Sequence, residues 1–561
     1  MSAGGRPFAW EKSYPPGVRW DAPIERTTLP ALLDRVVAEF GPRPAVEYRG
    51  RRFSYAELGR LADQAAAGLI AEGLRPGDHV ALYLPNTVFH PLSFFGVLRA
   101  GGRVVHLSPL DAERELVHKL RDSGARTLIT TNLGTMPATA MKLAEAGLLD
   151  RVVCGDEADW GPIGPTPATA RPDRAVPFSR LLETGATAPA HAWPRVGVDD
   201  LALLQYTGGT TGIPKGAMLT HGNLTAAVSM YGAWWDAQGL TRRGEDRVIC
   251  VLPLFHIYAL TAVCLKQLAT GNELMLRLRF DVETTLRDIE EKRATSFPGV
   301  PTMWIALTSH PGIEQRDLSS LRVCGSGGAA LPVEVAQRFE RLTGRRIGGG
   351  WGMTETAPAG TVLPEGTTMR PGLIGLPLPG IVMDVVALDD PRRVLPVGEV
   401  GEIRIKGPNV TPGYWRRPED NAAAFVDGFF LTGDIGSMDE AGFFYLVDRK
   451  KDMIISGGFN VYPRAVEEAI YEHPDVEEAM VIGVVDAYRG EAAKAFVKLR
   501  EGRPRFTLEE LRLFLADKLG RHELPAALEF RDALPKTSVG KLAKKPLIDE
   551  ERAKASGAQV A

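Results

Sequence analysis

Tyr206-Thr207-Gly208-Gly209-Thr210-Thr211-Gly212-Ile213-Pro214-Lys215-Gly216 is the stretch on which the reading of this chain turns. An apolar run over 201–204 precedes it and predicts a strand. Glycines let the backbone close around a phosphate and present its N–H groups, threonine hydroxyls add donors, and Lys215 adds positive charge. The order is not that of a Walker A loop, because Ile213-Pro214 precedes the lysine and glycine, not Ser or Thr, follows it. A plain Gly/Thr surface turn is the alternative. The strand before the run and the order within it favour phosphate binding by Thr207, Gly208, Gly209, Thr210, Thr211, Gly212 and Lys215.

Outward from the loop, the pattern is strand, helix, strand. Ser54 and Glu57 have capping-box spacing, apolar residues recur at Leu58, Leu61, Ala65, Leu69 and Ile70, and Gly73 supplies a stop. Strands follow over 79–84 and 103–107, with a helix through Leu98 between them. Repetition of this unit predicts an α/β protein whose mostly parallel sheets are covered by helices on both faces. The stretch through Glu25, with Trp10, Tyr14, Pro15, Pro16 and Trp20, reads as an irregular arm on the surface. The Pro-, Ala- and Thr-rich region 162–195 reads as a surface insertion or linker.

A second change falls near residue 448. Strands are expected over 429–434 and 442–447, then the charged run Asp448-Arg449-Lys450-Lys451-Asp452 as a solvated joint. A smaller unit follows, with helices over 466–471 and 508–519 and strands over 479–485 and 495–499. The organisation is therefore a large unit over 1–447, a joint over 448–452 and a small α+β unit over 453–561.

Composition limits the function. Of 561 residues, 44% are hydrophobic and 24% charged, which excludes a chain disordered throughout. The 66 Lys and Arg balance 69 Asp and Glu to a net charge of −3, so no basic excess draws the chain to nucleic acid. Cys154, Cys250, Cys264 and Cys324 have neither zinc spacing nor the look of a disulfide framework, which fits a reducing, cytoplasmic setting. No h-region opens the chain and no apolar run is long enough to span a bilayer.

Four further stretches carry chemistry. In Gly349-Gly350-Trp351-Gly352-Met353-Thr354-Glu355-Thr356, an aromatic between glycines can line a purine, and one carboxylate can hold a hard cation that takes its other ligands from phosphates. In Leu431-Thr432-Gly433-Asp434 the aspartate can accept from both hydroxyls of a ribose. Asp448 to Asp452 precedes Ser456-Gly457-Gly458-Phe459, a charged linker and glycine turn of the kind that hinges use. Leu534-Pro535-Lys536-Thr537-Ser538-Val539-Gly540-Lys541 ends on a lysine able to stabilise charge growing between two anions. Gly325-Ser326-Gly327-Gly328-Ala329-Ala330 matches a dinucleotide fingerprint, but no acidic residue follows at the required distance, so nicotinamide chemistry is set aside. No G-x-S-x-G elbow supports a serine hydrolase.

These five motifs, in this order, resemble the adenylate-forming superfamily of acyl- and aryl-CoA synthetases, peptide-synthetase adenylation domains and luciferases, over nearly the whole chain. The resemblance is nearest to bacterial fatty-acid–CoA ligases. It implies ATP, Mg²⁺ and coenzyme A as cofactor and co-substrates, and conversion of acid, ATP and CoA to acyl-CoA, AMP and pyrophosphate through an acyl-adenylate. It places the phosphate loop with Gly350, Trp351, Gly352, Met353 and Thr354 around ATP. Trp351 lies against adenine where many members have Tyr, Thr354 lies at the α-phosphate, and Glu355 is on the metal. Asp434 and Arg449 lie at the ribose. Lys541 becomes the catalytic lysine, assisted by Thr354 and His256. His256 and Tyr258 with Gly327 and Gly328 border the acyl pocket, Lys451 is the pivot of a mobile C-terminal unit, and Gly457, Gly458 and Phe459 line the CoA tunnel. Where members often carry an Arg pair, Lys544-Lys545 stands.

A medium- to long-chain fatty acid is the first substrate expectation, and a dicarboxylate or aryl acid the second. A nucleotide-binding relative without catalysis is the alternative of another class. The implied partners are small molecules, with no nucleic acid and no transmembrane segment; peripheral membrane contact and a homodimer are compatible with it.

Overall fold

The computed structural model describes residues 6–162, 167–188, 192–207, 214–329, 331–456, 459–486, 489–537 and 542–555. Among them the strands form three sheets. The first is 7-stranded, in the order Val176–Pro177, Arg151–Gly155, Thr127–Thr131, His79–Tyr83, Arg103–Leu107, Leu201–Thr207 and Lys215–Thr220. Every neighbouring pair is parallel except the last, which is the hairpin around the phosphate loop.

The second sheet is 14-stranded. From Pro44–Tyr48 through Glu273–Leu276, Arg247–Cys250, Ser296–Gly299 and Val323–Ser326 to Ile347–Trp351 its neighbours run parallel. It then turns antiparallel through Thr361–Val362, Leu373–Pro377, Phe444–Arg449, Phe429–Met438 and Gly401–Lys406. The third, 5-stranded sheet holds Ile454–Ser456, Phe459–Val461, Val476–Asp486, Gly490–Leu499 and Ala527–Phe530, mostly antiparallel.

Parallel strands need both faces covered, and the helices supply the cover. Phe89–Arg99 is buried all round, and His221–Ala237 nearly so, as helices packed within one shared core must be. Helix Tyr55–Ala71 starts where the capping pattern placed it, with Ser54 Oγ accepting from the Glu57 N–H at 3.1 Å. The reciprocal half of the box is not made, because the Glu57 carboxylate pairs with Arg51 at 2.6 Å.

Three expectations need correction: those for the N-terminal arm, for the region 162–195 and for the joint. The N-terminal arm is not merely laid on the surface: Trp10 is buried and stacks on Phe8, and Trp20 Nε1 donates to the Ile381 carbonyl at 2.7 Å. The region 162–195 is likewise more than a linker. It contributes strand Val176–Pro177 and helix Phe178–Thr187, whose Phe178 and Leu181 enter the core against Tyr55–Ala71. Its Pro, Ala and Thr content hid a short amphipathic helix that packs by close backbone approach. A methyl group on Gly68 would lie 2.2 Å from the Leu181 carbonyl oxygen, and one on Gly185 would lie 1.9 Å from that of Gln64.

The chain leaves the second sheet at Arg449 and enters the third at Ile454. The joint between them is not solvated throughout. Asp448 is buried and accepts from the backbone N–H groups of Arg449 and Arg464, each at 2.7 Å. Arg464 lies in the first turn of helix Pro463–Tyr471, whose open N–H groups attract a carboxylate. Arg449, Lys450 and Lys451 remain exposed.

The helix crossing yields a stability test. Gly68→Ala must push Phe178–Thr187 away or strain it, at a cost of about 1–3 kcal/mol. Gly232→Ala, with only the Asp236 carboxylate at 4.0 Å, should stabilise helix His221–Ala237 by about 0.5–1 kcal/mol. Urea midpoints moving in opposite directions at constant m-value would bear this out; equal shifts would contradict the packing.

Candidate active site

The phosphate-loop hairpin is anchored at its base. Thr207 pairs with Lys215 and Tyr206 with Gly216, so the loop closes between adjacent antiparallel strands. Gly208, Gly209, Thr210, Thr211 and Gly212 lie outside the described residues. Tyr206 donates its hydroxyl to Asp122 at 2.8 Å, and Arg417 donates to the same carboxylate at 2.6 Å. Lys215 is half-buried, paired with Asp420 and 5.7 Å from the centre of the Tyr414 ring.

Tyr414 is the residue that sequence reasoning missed. It belongs to the turn Asn409 to Trp415, which is hydrogen-bonded on both flanks. On one side Met218 N–H donates to Gly413 and Trp415 N–H to Gly216, both carbonyls, along the strand that begins at Lys215. On the other, Thr411 N–H donates to the Glu355 carbonyl at 2.7 Å, and Asn409 Nδ2 donates to the carbonyls of Thr356 and Ala359. The Tyr414 hydroxyl then donates to Glu355 Oε1 at 2.8 Å. The turn thereby ties the phosphate-loop stem to the Glu355 segment. Its sequence signal was a Pro-Gly turn followed by two aromatics, Pro412-Gly413-Tyr414-Trp415, which any surface turn could share.

Glu355 sits in the short helical turn Thr354–Thr356, with Thr354 half-buried at its start. Ala357 follows in the left-handed region at φ 56°, an unusual conformation for a residue with a side chain and one that concentrates at functional turns. Gly352 admits no side chain, since a methyl there would lie 1.4 Å from the Pro358 carbonyl oxygen. The Glu355 carboxyl is buried, and its desolvation pushes its pKa up against the pull of the Tyr414 hydrogen bond. Among the described residues no three His, Cys, Asp or Glu side chains gather as a metal cluster. One buried carboxylate in need of a cation fits Mg²⁺ held jointly with substrate phosphates.

Trp351 and Asp434 are brought together. The indole Nε1–H donates to Asp434 Oδ2 at 2.7 Å, and Arg449, opposite Asp434 in the strand register, is 3.7 Å from Oδ1. Trp351 therefore retains a polar contact, not ring stacking alone. Burial raises the Asp434 pKa, opposed by Arg449 and the indole.

The acyl candidates also meet. Tyr258 opens a π-helical segment, Tyr258–Leu265, a geometry often found at functional sites. Its ring fills the space beside Gly327, where a methyl would lie 2.8 Å from ring carbons, and Gly328 turns the loop at φ 80°. His256 Nδ1 accepts from the Tyr258 N–H at 3.2 Å. Phe459 is 61% exposed and belongs to the third sheet, whereas Trp351 belongs to the second; Lys451 is exposed. Gly457, Gly458 and Lys541 lie outside the described residues. Outside the stretch that holds Lys541, an isolated bridge joins Lys536 to Leu542 and the Ala543 N–H donates to the Pro535 carbonyl. Lys544 is turned away from solvent toward Glu467 at 3.0 Å. Burial works to lower its pKa, but Glu467, Asp448 and Asp452 outweigh that and hold it charged.

The stem of the Gly/Thr-rich hairpin and the segment of the buried Glu355 carboxylate are tied together by the turn Asn409 to Trp415, and Trp351, four residues before Glu355, holds Asp434. Residues 33–415 match the family of AMP-binding enzymes, and residues 465–541 match the C-terminal domain of AMP-binding enzymes. The chain belongs to the AMP-binding enzyme family. It is 40% identical over 555 residues to the long-chain-fatty-acid–CoA ligase of Bacillus subtilis (strain 168), covering 97% of this chain and 98% of that one. A feruloyl-CoA synthase of Amycolatopsis sp is 39% identical over 507 residues, covering 89% and 94%. Among solved structures, ATP-bound MatB from Rhodopseudomonas palustris superposes with a TM-score of 0.82 at 31% identity, covering 93% of this chain and 99% of that one.

The raised carboxyls carry a sign. A carboxyl whose folded pKa lies above its unfolded value binds more protons in the native state. Its contribution is therefore fully present below the ordinary carboxylate range and is lost as pH rises through the raised value. Desolvation makes a charge on the buried Glu355 carboxyl unfavourable in the ligand-free protein. Glu355→Gln keeps an acceptor for Tyr414 and removes that charge. It should raise the thermal midpoint of the ligand-free protein at pH 8 by more than at pH 4.5, while abolishing the extra stabilisation that Mg²⁺ with ATP gives the parent. Equal midpoints at both pH values would refute the buried-charge account.

Proposed function

We propose that this protein is an ATP-dependent carboxylate–CoA ligase acting on medium- to long-chain fatty acids. The observation that carries the reading is the Lys215–Tyr414–Glu355 arrangement, which sets a cation from the phosphate loop and a buried carboxylate on two sides of one tyrosine. Near-full-length similarity to a long-chain-fatty-acid–CoA ligase supports the acid class.

In this reading, the acid's carboxylate oxygen attacks the α-phosphorus of ATP. The bond to the β-phosphate oxygen breaks, releasing pyrophosphate and leaving the acyl-adenylate. The thiol of CoA then attacks the acyl carbonyl, loses its proton, and expels AMP. Both partners of the first step are anionic, so their approach depends on donors and cations placed in advance. The loop amides, Thr354 and Lys541 supply them. Mg²⁺ bound at Glu355 would offset phosphate charge as a Lewis acid. Asp434 receives the ribose hydroxyls, held in orientation by the Trp351 indole and by Arg449. His256 and Tyr258, with Gly327 and Gly328, border the acyl chain.

The organisation belongs to the same proposal. A large unit ends near residue 447, Lys451 is the pivot, and the unit from 453 onward alternates between a state that presents Lys541 and one that presents Gly457, Gly458 and Phe459 to CoA. The change of sheet between Arg449 and Ile454 supports it. Small-molecule partners, a homodimer and a cytoplasmic setting complete the reading. Four buried free thiols fit the last, and among the described residues no helix is long and apolar enough to cross a membrane. A second reading, an aryl acid, is favoured by the Tyr258 phenol at the pocket wall and by the feruloyl-CoA synthase similarity.

An acid panel decides between the two. Pyrophosphate release with saturated acids should rise with chain length, each buried CH₂ adding about 0.8 kcal/mol, or roughly fourfold in kcat/KM, until the pocket is full. A profile led by hydroxycinnamates, with fatty acids inert, selects the aryl reading.

The two half-reactions should separate by mutation. Lys541→Ala should lose acid-dependent pyrophosphate release by several hundredfold, on the scale of about 3–4 kcal/mol for one electrostatic stabiliser. It should still convert supplied acyl-adenylate and CoA to thioester. Lys451→Pro should do the reverse. Equal loss of both halves in both variants, with the fold intact, would leave a passive linker in place of a pivot.

A further inference from the structure

A chain of buried side chains runs from the first sheet to the turn that carries His256. His90 Nε2 lies 3.2 Å from His106 Nε2, His106 Nδ1 lies 2.9 Å from Gln205 Oε1, and Gln205 Nε2 donates to the Phe255 carbonyl at 2.9 Å. His90, His106 and Gln205 are 0%, 2% and 6% exposed.

The hydrogen bonds fix their own direction. A carbonyl only accepts, so the Gln205 amide must turn its nitrogen to Phe255 and its oxygen to His106. His106 must then carry its proton on Nδ1, which leaves its Nε2 bare to accept from His90 Nε2–H. His90 Nδ1 is therefore a lone pair, and it is buried without a partner. Both imidazoles are neutral: burial lowers the His106 pKa to about 4 and that of His90 well below its usual range.

This arrangement is costly as mere packing. Two imidazoles and an amide are removed from water, and one nitrogen is left unsatisfied. An apolar core of the same volume would avoid that cost. What the chain accomplishes is at its end. Phe255 immediately precedes His256, in an irregular turn whose buried backbone groups need side-chain partners. Asn86 holds the earlier part, meeting the carbonyls of Cys250 and Leu252 and the Leu254 N–H. Gln205 holds the last buried carbonyl before His256, and it stands two residues before Thr207 on the strand that leads into the phosphate loop.

We propose that His90, His106 and Gln205 are positioning residues for the acid. They lock the His256–Tyr258 turn to the phosphate-loop strand, so that the carboxylate is presented in register with the nucleotide. This rests on the reading of that turn as the acyl wall.

The test uses the full-length protein with three variants. His106→Leu breaks the chain. His106→Asn keeps an N–H near the Nδ1 position and so keeps the donor to Gln205. Gln205→Glu is nearly isosteric but sets a carboxylate against the Phe255 carbonyl, so a folding defect in His106→Leu does not end the test. The KM for acid and the KM for ATP are measured for each by pyrophosphate release. In His106→Leu and Gln205→Glu the acid KM should rise about tenfold, the scale of one buried hydrogen bond, with ATP KM within about twofold of the parent. His106→Asn should return the acid KM to near the parent value.

Acid and ATP KM rising by the same factor, or a lowered thermal midpoint with both KM unchanged, would overturn the proposal and leave the chain structural. So would His106→Asn behaving like His106→Leu. Tyr258→Ala distinguishes the two levels of failure. If it alters the acid KM and the chain variants do not, only the positioning role falls. If it too leaves the acid KM unchanged, the acyl-wall reading falls as well.

Discussion

The hydroxyl of Tyr414, donated to a buried Glu355 carboxylate, is the contact on which the arrangement of the site depends. Glu355 lies in the turn between strands Ile347–Trp351 and Thr361–Val362 of the second sheet, whereas Lys215 belongs to the hairpin that ends the first. The two segments lie in different sheets and need a link at this point. The turn Asn409 to Trp415 supplies that link, using its backbone on the hairpin side and Asn409, Thr411 and Tyr414 on the Glu355 side. Backbone groups in an irregular buried turn must find partners, and here those partners are the two segments that have to be aligned.

The same logic recurs on the opposite wall. The turn after strand Arg247–Cys250 is irregular, and two amides occupy its carbonyls: Asn86, from the loop after strand His79–Tyr83, and Gln205, from the first sheet. Tyr258 leaves this turn through a π-helical segment and fits against Gly327, which has no side chain to displace it. The site is thus a seam between two sheets, each rigid because it is buried on both faces, joined by polar side chains of defined geometry.

The seam also stores unfavourable terms. Glu355 and Asp434 are desolvated carboxyls with raised pKa values, and Ala357 occupies the left-handed region beside Glu355. Such terms persist where a ligand relieves them. In the proposed function a metal ion at Glu355 and a ribose at Asp434 would do so, and the Trp351 indole orients Asp434 by a hydrogen bond.

By itself the sequence determined the class of fold and offered candidate site residues by their chemistry. Period, caps and glycine spacing are local, so the helix at Tyr55–Ala71, the strand before the loop and two of the five strands of the small sheet beyond residue 453 could be read directly. Trp351, Glu355 and Asp434 were recognisable because their neighbours in the chain are distinctive. Tertiary structure decided what depends on distant partners. Helix Phe178–Thr187 looked like linker because its stability comes from Gly68 and from two buried side chains, not from its own composition. Asp448 looked solvated because the N–H it satisfies belongs to Arg464, beyond the joint. Tyr414, Gln205, His90 and His106 were unremarkable in sequence. Tyr414 and Gln205 make hydrogen bonds across the seam, His90 and His106 make theirs on the first-sheet side, and a hydrogen bond between residues far apart in the chain leaves no local pattern to read.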